Sequence, residues 1–173
     1  MTTSRPLAEL LERQLRHRYR ALDRAISAGV GPAESEFQLG GRPPIAWHAR
    51  HVGEAIESTR EALFGDAPRH TARDLHSRAP SSTGGASPGL APFEAWPEPW
   101  HELRLAVLRA GSELAELLSR GTDEELAEPP LVPILPAFRS SLPTRQSFLE
   151  GHIYHVTYHV GSMAVLRAEM GLD

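Results

Sequence analysis

Residues 144–171 read TRQSFLEGHIYHVTYHVGSMAVLRAEMG, and this stretch decides the fold. It opens on Thr144, a residue type that caps helix N-termini, and it ends on Gly171, the residue type that most often stops helices. No proline interrupts it, so the backbone can stay helical throughout. An apolar line recurs every three or four residues along it, formed by Leu149, Ile153, Val156, Val160 and Ala164. The spacing predicts one long helix with this line as its core face and histidines along the other face.

Three earlier segments repeat the helical period. The first has Tyr19 among the leucines of its inward line, and the second has His48 on its inward line. The segments are bounded by Pro and Gly, and we place them from Ser4 and Pro6 to Gly29, from Pro43 and Pro44 to Gly65, and from Trp96 and Pro97 to Gly121. The one strand-like run, LVPIL at 131–135, is broken by Pro133. Four helices in a chain of single-domain length predict an all-α fold, a four-helix bundle that spans residues 1–173.

The connections differ in character. Residues 29–43 form a short connection, whereas residues 66–95 are rich in Pro, Gly and Ser and are predicted to be a long, flexible crossover loop. The connection at 121–143 combines prolines with apolar residues, and its part 131–138 is expected to pack over the mouth of a pocket.

Composition excludes several classes of function. The chain has 173 residues with 18 basic and 22 acidic side chains, a net charge of −4 that argues against nucleic acid as the main partner. No apolar run has the length of a membrane helix, and the first residues do not resemble a secretory signal, so we expect a cytoplasmic protein without membrane contact. There is no Cys, which excludes disulfides, thiolate nucleophiles and Cys-based metal sites. Any metal or acid–base chemistry therefore depends on the nine His and the carboxylates.

The most informative spacing is that of the histidines in GHIYHVTYHVGSM, residues 151–163. His152, His155 and His159 stand at i, i+3 and i+7, so they project from one line of the helix. His155 and His159 form an i, i+4 pair, the separation at which two imidazoles converge on one ion. The alternative is that each is a surface or hydrogen-bonded core imidazole, and spacing alone does not separate the two interpretations.

The second segment supplies a partner for that pair. In WHARHVGEA, His48 and His51 are three residues apart, and Glu54 follows His51 by one turn. One imidazole from this helix and two from the last would form a set of three nitrogens with open positions, which zinc, nickel and iron all accept. A ferritin-like di-iron site is not supported, because the one Glu-x-x-His, Glu98 to His101, contains Pro99. His17, His70 and His76 are expected to be solvated.

Two motifs resemble the DinB-like (DinB/YfiT) family of four-helix bundles. IAWHARHVGEAIES, residues 45–58, is similar to the family's second-helix motif, and HVTYHVGSMAVLRAEMGL, residues 155–172, is similar to its last helix. The resemblance implies that His51, His155 and His159 bind a divalent metal ion, zinc or nickel in the first place and iron or manganese as alternatives. His48, His152, Glu54 and Tyr158 are then candidates for groups that surround the ion. Ser162 departs from the family, which commonly has Gln there, and this leaves the substrate branch open.

The resemblance, together with the chemistry of a bound ion, leads to two hypotheses of different kinds. The first is a metal-dependent enzyme, either a thiol S-transferase or a hydrolase, which acts on a small-molecule substrate and takes its thiol from a low-molecular-weight compound. The alternative is a non-catalytic, metal-binding bundle associated with stress. The family often dimerises, so a homodimer is expected in either case.

Overall fold

The computed structural model describes residues 5–65, 99–132 and 140–172. Within these ranges lie six helices and no strand, which confirms the all-α prediction. The four long helices are α1 (Pro6–Ser27), α3 (Ile45–Phe64), α4 (Trp100–Leu118) and α6 (Arg145–Met170), and the two short ones are α2 (Pro32–Ser35) and α5 (Asp123–Ala127). The predicted crossover loop 66–95 and the predicted start of the third helix at Trp96 and Pro97 lie outside the described residues, as do His70 and His76.

Each long helix packs against two of the others, so that the order around the bundle is α1, α4, α3, α6. Helices α1 and α6 run in parallel, because Tyr19 meets His152 while Ala28, just beyond α1, meets Arg167. Helix α4 runs antiparallel to α1. Its first residue, Trp100, donates its indole N–H to the carbonyl of Val30, near the end of α1.

Helices α3 and α4 are also parallel neighbours. Gly53 lies against Val107 near their middles, and Arg60 pairs with Glu113 further along both helices. The end of α3 and the start of α4 therefore lie at opposite ends of the bundle, about 30 Å apart for helices of this length. This topology gives a reason for the long connection that the sequence places between the second and third helical segments.

Helix α6 has a wider buried face than the sequence predicts. Its buried seam alternates three- and four-residue steps, the spacing of a bundle core, through Leu149, His152, Val156, His159, Met163 and Leu166. The expected separation into a core line and a histidine line is wrong, since His152 and His159 lie within the core seam. Ala164, predicted to be inward, is exposed. Because α6 contacts both α1 and α3, the core side of the helix covers two adjacent lines of residues.

The ends of α6 are as predicted. The Thr144 hydroxyl accepts a hydrogen bond from the backbone N–H of Ser147 at 3.2 Å, and Gly171 ends the helix with a left-handed backbone, φ 69°. The short helices α2 and α5 were not predicted, because a few helical residues give too little period to recognise. Helix α5 has a capping box between Thr122 and Glu125.

The connection at 121–143 was expected to cover a pocket. Of the apolar part 131–138, only residues 131 and 132 lie in the described ranges. There the backbone N–H of Leu131 donates to the carbonyl of Ala62 at 2.8 Å, near the end of α3 and about three turns from His51. In the part of the chain that the structure describes, no helix is both long enough and apolar enough to cross a membrane.

Candidate metal centre

Three histidines from two antiparallel helices meet at the interface of α3 and α6. His51 comes from α3, and His155 and His159 come from successive turns of α6. The Nε2 atom of His155 lies 3.1 Å from Nε2 of His51 and 3.0 Å from Nε2 of His159. One nitrogen from each ring lies within 4.8 Å of the other two, so the three rings point at a common centre.

Hydrogen bonding among the three rings does not account for this arrangement. A neutral imidazole nitrogen carries either one proton or one lone pair, so Nε2 of His155 can satisfy only one of its two nitrogen neighbours well. A cation at the common centre would instead be bound by the lone pairs of all three Nε2 atoms. Imidazole nitrogens bind zinc at about 2.0–2.1 Å, so ligand nitrogens at right-angled or tetrahedral positions lie about 2.8–3.4 Å apart. The two short distances in the cluster fall in that range, and the residues therefore fit a metal ion.

The electrostatics keep the rings in the form that binds metals. Burial, with the neighbouring imidazoles as a second cause, lowers the pKa of His159 to about 3. The same two causes, burial first and then the charge of His51, lower the pKa of His155. Both rings are consequently neutral at pH 7 and can offer a lone pair.

Aromatic rings surround the cluster. Trp47 is stacked on His51, with ring centroids 5.0 Å apart and planes 16° from parallel, and its ring lies 6.0 Å from that of His159. Tyr158 is 62% exposed and stands edge-on to His159 at 5.2 Å. The side chain of His51 is itself 41% exposed, so the cluster is reached from solvent on the His51 side while His159 is buried.

The four residues predicted to surround the ion differ in their placement. His48 contacts His159 through their Nδ1 atoms at 2.8 Å, and Tyr158 lies against the same ring. The carboxylate of Glu54 is 3.9 Å from Nδ1 of His51 and 2.9 Å from Nε of Arg50.

His152 is not part of the cluster, and its Nε2 is 2.9 Å from the hydroxyl of Tyr19 on α1. The ligand role of His51, His155 and His159 stays a prediction, although the geometry is compatible with it.

Tyr19 is the polar partner that sequence reasoning missed. It lies on the apolar line of α1, where the three- and four-residue spacing is that of core residues. The one available signal was its hydroxyl, because a buried phenol usually needs a hydrogen-bond partner. Of the remaining histidines in the described ranges, His17 and His101 are exposed and lie outside the cluster.

The bundle topology and the three-histidine cluster define a helical protein with a candidate site for a divalent metal. A model of the DinB superfamily matches residues 2–163, and the chain belongs to that superfamily. No curated protein and no solved structure matched the chain.

Proposed function

We propose that the protein is a metal-dependent enzyme that binds one divalent ion through His51, His155 and His159. The observation that carries the proposal is the convergence of three imidazole nitrogens, two pairs of which are 3.0 and 3.1 Å apart, a separation that suits ligands of one ion. Three protein nitrogens leave further coordination positions open, as in catalytic rather than closed structural sites. A bound ion of this kind supplies Lewis acidity, which lowers the pKa of a water or thiol so that a nucleophile is available at neutral pH.

The residues of the chain bind the ion and hold the ligand rings in place. Two ligands separated by one helical turn on α6 are held at a fixed spacing, and the stacked Trp47 restricts the ring of His51. Because the chain has no Cys, the thiol in a transfer reaction arrives as a small molecule. In that reaction its sulfur bonds to the electrophilic carbon, and the leaving group departs with the proton of the thiol. In hydrolysis, water takes the place of the thiol.

The first experiment measures metal content. Elemental analysis of untagged protein is expected to give close to one zinc or nickel per chain, or uptake of one equivalent on titration. His51→Ala and His159→Ala should each abolish uptake, whereas His17→Ala and His101→Ala, which remove exposed imidazoles away from the cluster, should not. Absence of uptake by the unmodified protein would refute the proposal.

The second experiment measures turnover. The metal-loaded protein is tested with low-molecular-weight thiols plus electrophiles, and separately with esters and amides. The enzyme proposal expects turnover that is lost in His159→Ala and retained in His101→Ala. A loaded protein that is inactive against both panels contradicts this proposal in favour of the alternative below.

The alternative is a non-catalytic, metal-stabilised bundle that associates with a second copy. It draws support from the position of the cluster, which joins α3 to α6, two helices that are neighbours in space but far apart in the chain. In this alternative the large apolar side chains left exposed on α1 and α4, Leu10 and Leu105, take part in the association. Sedimentation of the metal-loaded protein at several concentrations distinguishes a dimer from a monomer.

A further inference from the structure

A fourth imidazole lies behind the candidate metal ligands. His48 is 4% exposed, and its Nδ1 is 2.8 Å from Nδ1 of His159. Nδ1 lies on the side of the His159 ring that faces away from the three-histidine cluster, because His159 contacts His155 through its Nε2. Within the described ranges, His48 is the one hydrogen-bond partner of His159 Nδ1.

The position of one proton couples the two rings. A contact between two nitrogens at this distance needs one proton, carried either by His159 or by His48. If His48 donates, then His159 Nδ1 holds the lone pair, and the neutral ring must carry its proton on Nε2, where it blocks metal binding. If His159 donates, its Nε2 lone pair faces the cluster and is free to bind an ion. Only the second arrangement is compatible with His159 as a ligand.

We propose that His48 is a positioning residue that accepts the Nδ1 proton of His159 and thereby holds the Nε2 lone pair of His159 towards the metal. The inference rests on the proposed function, since it concerns the same ion. Partners that hold a ligating histidine in one tautomer are usually carboxylates or backbone carbonyls. Here the acceptor is a neutral imidazole, which fixes the tautomer without adding negative charge to the centre.

His48 is itself held in place by its surroundings. Its ring stands edge-on to Trp47 at 5.2 Å, and Trp47 is stacked on His51. The indole of Trp47 therefore contacts both His51, a candidate ligand, and His48, the residue that orients His159. Because His48 and His51 are three residues apart on α3, a single turn of helix supplies a ligand and an acceptor for the opposite helix.

Two substitutions separate the acceptor from the packing of the ring. In His48→Asn the side-chain oxygen occupies a position close to that of Nδ1 and can accept the proton, whereas His48→Leu has a similar size and no acceptor. Zinc affinity is measured by competition with a chelator. We expect His48→Leu to bind zinc about 10–100-fold more weakly than the unmodified protein and His48→Asn to stay within a few-fold. His101→Ala is the matched control on an exposed imidazole.

The outcomes are distinct. If the unmodified protein takes up no metal, the proposed function fails. If it takes up metal and His48→Leu binds with equal affinity, or His48→Asn is as weak as His48→Leu, only the role of His48 is overturned. Should His48→Leu fail to fold, ¹⁵N NMR of the zinc-loaded, unmodified protein decides. A proton on Nδ1 of His159, coupled to Nδ1 of His48, supports the inference, and a proton on Nδ1 of His48 instead refutes it.

Discussion

The Tyr19–His152 pair shows how a buried imidazole is kept neutral at the residue scale. Burial, with the nearby His155 as a second cause, lowers the pKa of His152 to about 3. Burial also raises the pKa of Tyr19 well above its usual value, so the phenol stays protonated. The Tyr19 hydroxyl and Nε2 of His152, 2.9 Å apart, form a neutral hydrogen bond in the core.

This pair predicts a dependence of stability on pH. Because the pKa of His152 is about 3 in the folded state and near 6.5 in the unfolded state, the unfolded chain binds more protons between these values. The contribution of His152 to stability is therefore complete above pH 6.5 and falls as the pH is lowered, by up to about 1.4 kcal/mol per pH unit. We therefore expect the free energy of unfolding of metal-free His152→Gln to depend less steeply on pH below 6.5 than that of the unmodified protein.

The measurement is the free energy of unfolding from urea denaturation between pH 7.5 and 4.5. The stability difference between the unmodified protein and His152→Gln should shrink as the pH falls below 6.5. The lowered pKa values of His48 and His159 act in both proteins and cancel in the difference. His155, the second cause of the low pKa of His152, is also present in both proteins. A difference that stays constant across this range would show that His152 is not held neutral by burial.

The candidate site illustrates what residue spacing can and cannot predict. The i, i+4 spacing of His155 and His159 predicted that their rings converge, because helix geometry alone brings them to one face. The prediction that His51 joins them rested on the family resemblance as well, because spacing alone did not choose between His48 and His51. His152 was placed on the same line, yet its ring meets Tyr19, a residue 133 positions away in the chain. Contacts of that range depend on which helices become neighbours, and hydrophobic periodicity does not contain this information.

At the scale of the element, Gly111 allows α4 to approach α1 closely. A Cβ atom there would lie 3.1 to 3.3 Å from three atoms of the Tyr19 ring. Replacement of a helical glycine by alanine normally stabilises by about 0.5–1 kcal/mol. Tyr19 cannot move freely, since its hydroxyl is bonded to His152, so we expect Gly111→Ala to incur an overpacking penalty of about 1–3 kcal/mol.

Gly161 is the matched control, because it lies in the interior of α6 and a Cβ atom there meets nothing within 4 Å. Thermal and urea unfolding should find Gly161→Ala equal to or more stable than the unmodified protein and Gly111→Ala less stable. Equal stability of the two variants would mean that Tyr19 yields to the added methyl group.

The end of α6 is joined to the end of α1 by Arg167. Its guanidinium donates to the carbonyl of Ala28 at 2.5 Å, and also to the carbonyls of Ala25 and Leu172. These carbonyls at the ends of the helices lack partners within their own helices, so the arginine acts as a shared cap. We expect Arg167→Met to reduce the free energy of unfolding by about 2–3 kcal/mol.

Two further variants test this interpretation by urea unfolding. Arg167→Lys keeps the charge but not the planar fork of donors, so it should recover only part of the loss. Arg109→Met, on the exposed side of α4, should change stability by less than about 0.5 kcal/mol. If Arg167→Met behaves like Arg109→Met, the cap is not significant for stability.

At the scale of the whole molecule, the number of long helices followed from the sequence, whereas their arrangement did not. Each helix has its own apolar period and its own terminating Gly or Pro, and these are local signals. The parallel pairing of α3 with α4 is a relation between segments that similar periods leave undetermined. The length of the connection between them was compatible with that pairing, but did not identify which faces meet. Two of the four interfaces between neighbouring long helices, α1 with α6 and α3 with α6, contain buried histidines.

The last of these interfaces predicts how metal affects the stability of the whole bundle. An ion bound by α3 and α6 binds the folded chain alone, so at 100 times its dissociation constant it adds about 2.7 kcal/mol to the free energy of unfolding. For a chain of this size we expect the midpoint of thermal unfolding to rise by about 5–10 °C.

Differential scanning calorimetry of the protein with zinc or nickel, compared with the protein in a chelator, measures the rise. It should vanish in His159→Ala and persist in His17→Ala, and an equal rise in His159→Ala would place the ion elsewhere. If metal-free His159→Ala nevertheless unfolds at the temperature of the metal-loaded, unmodified protein, the fold does not depend on the ion. That result would remove the structural alternative.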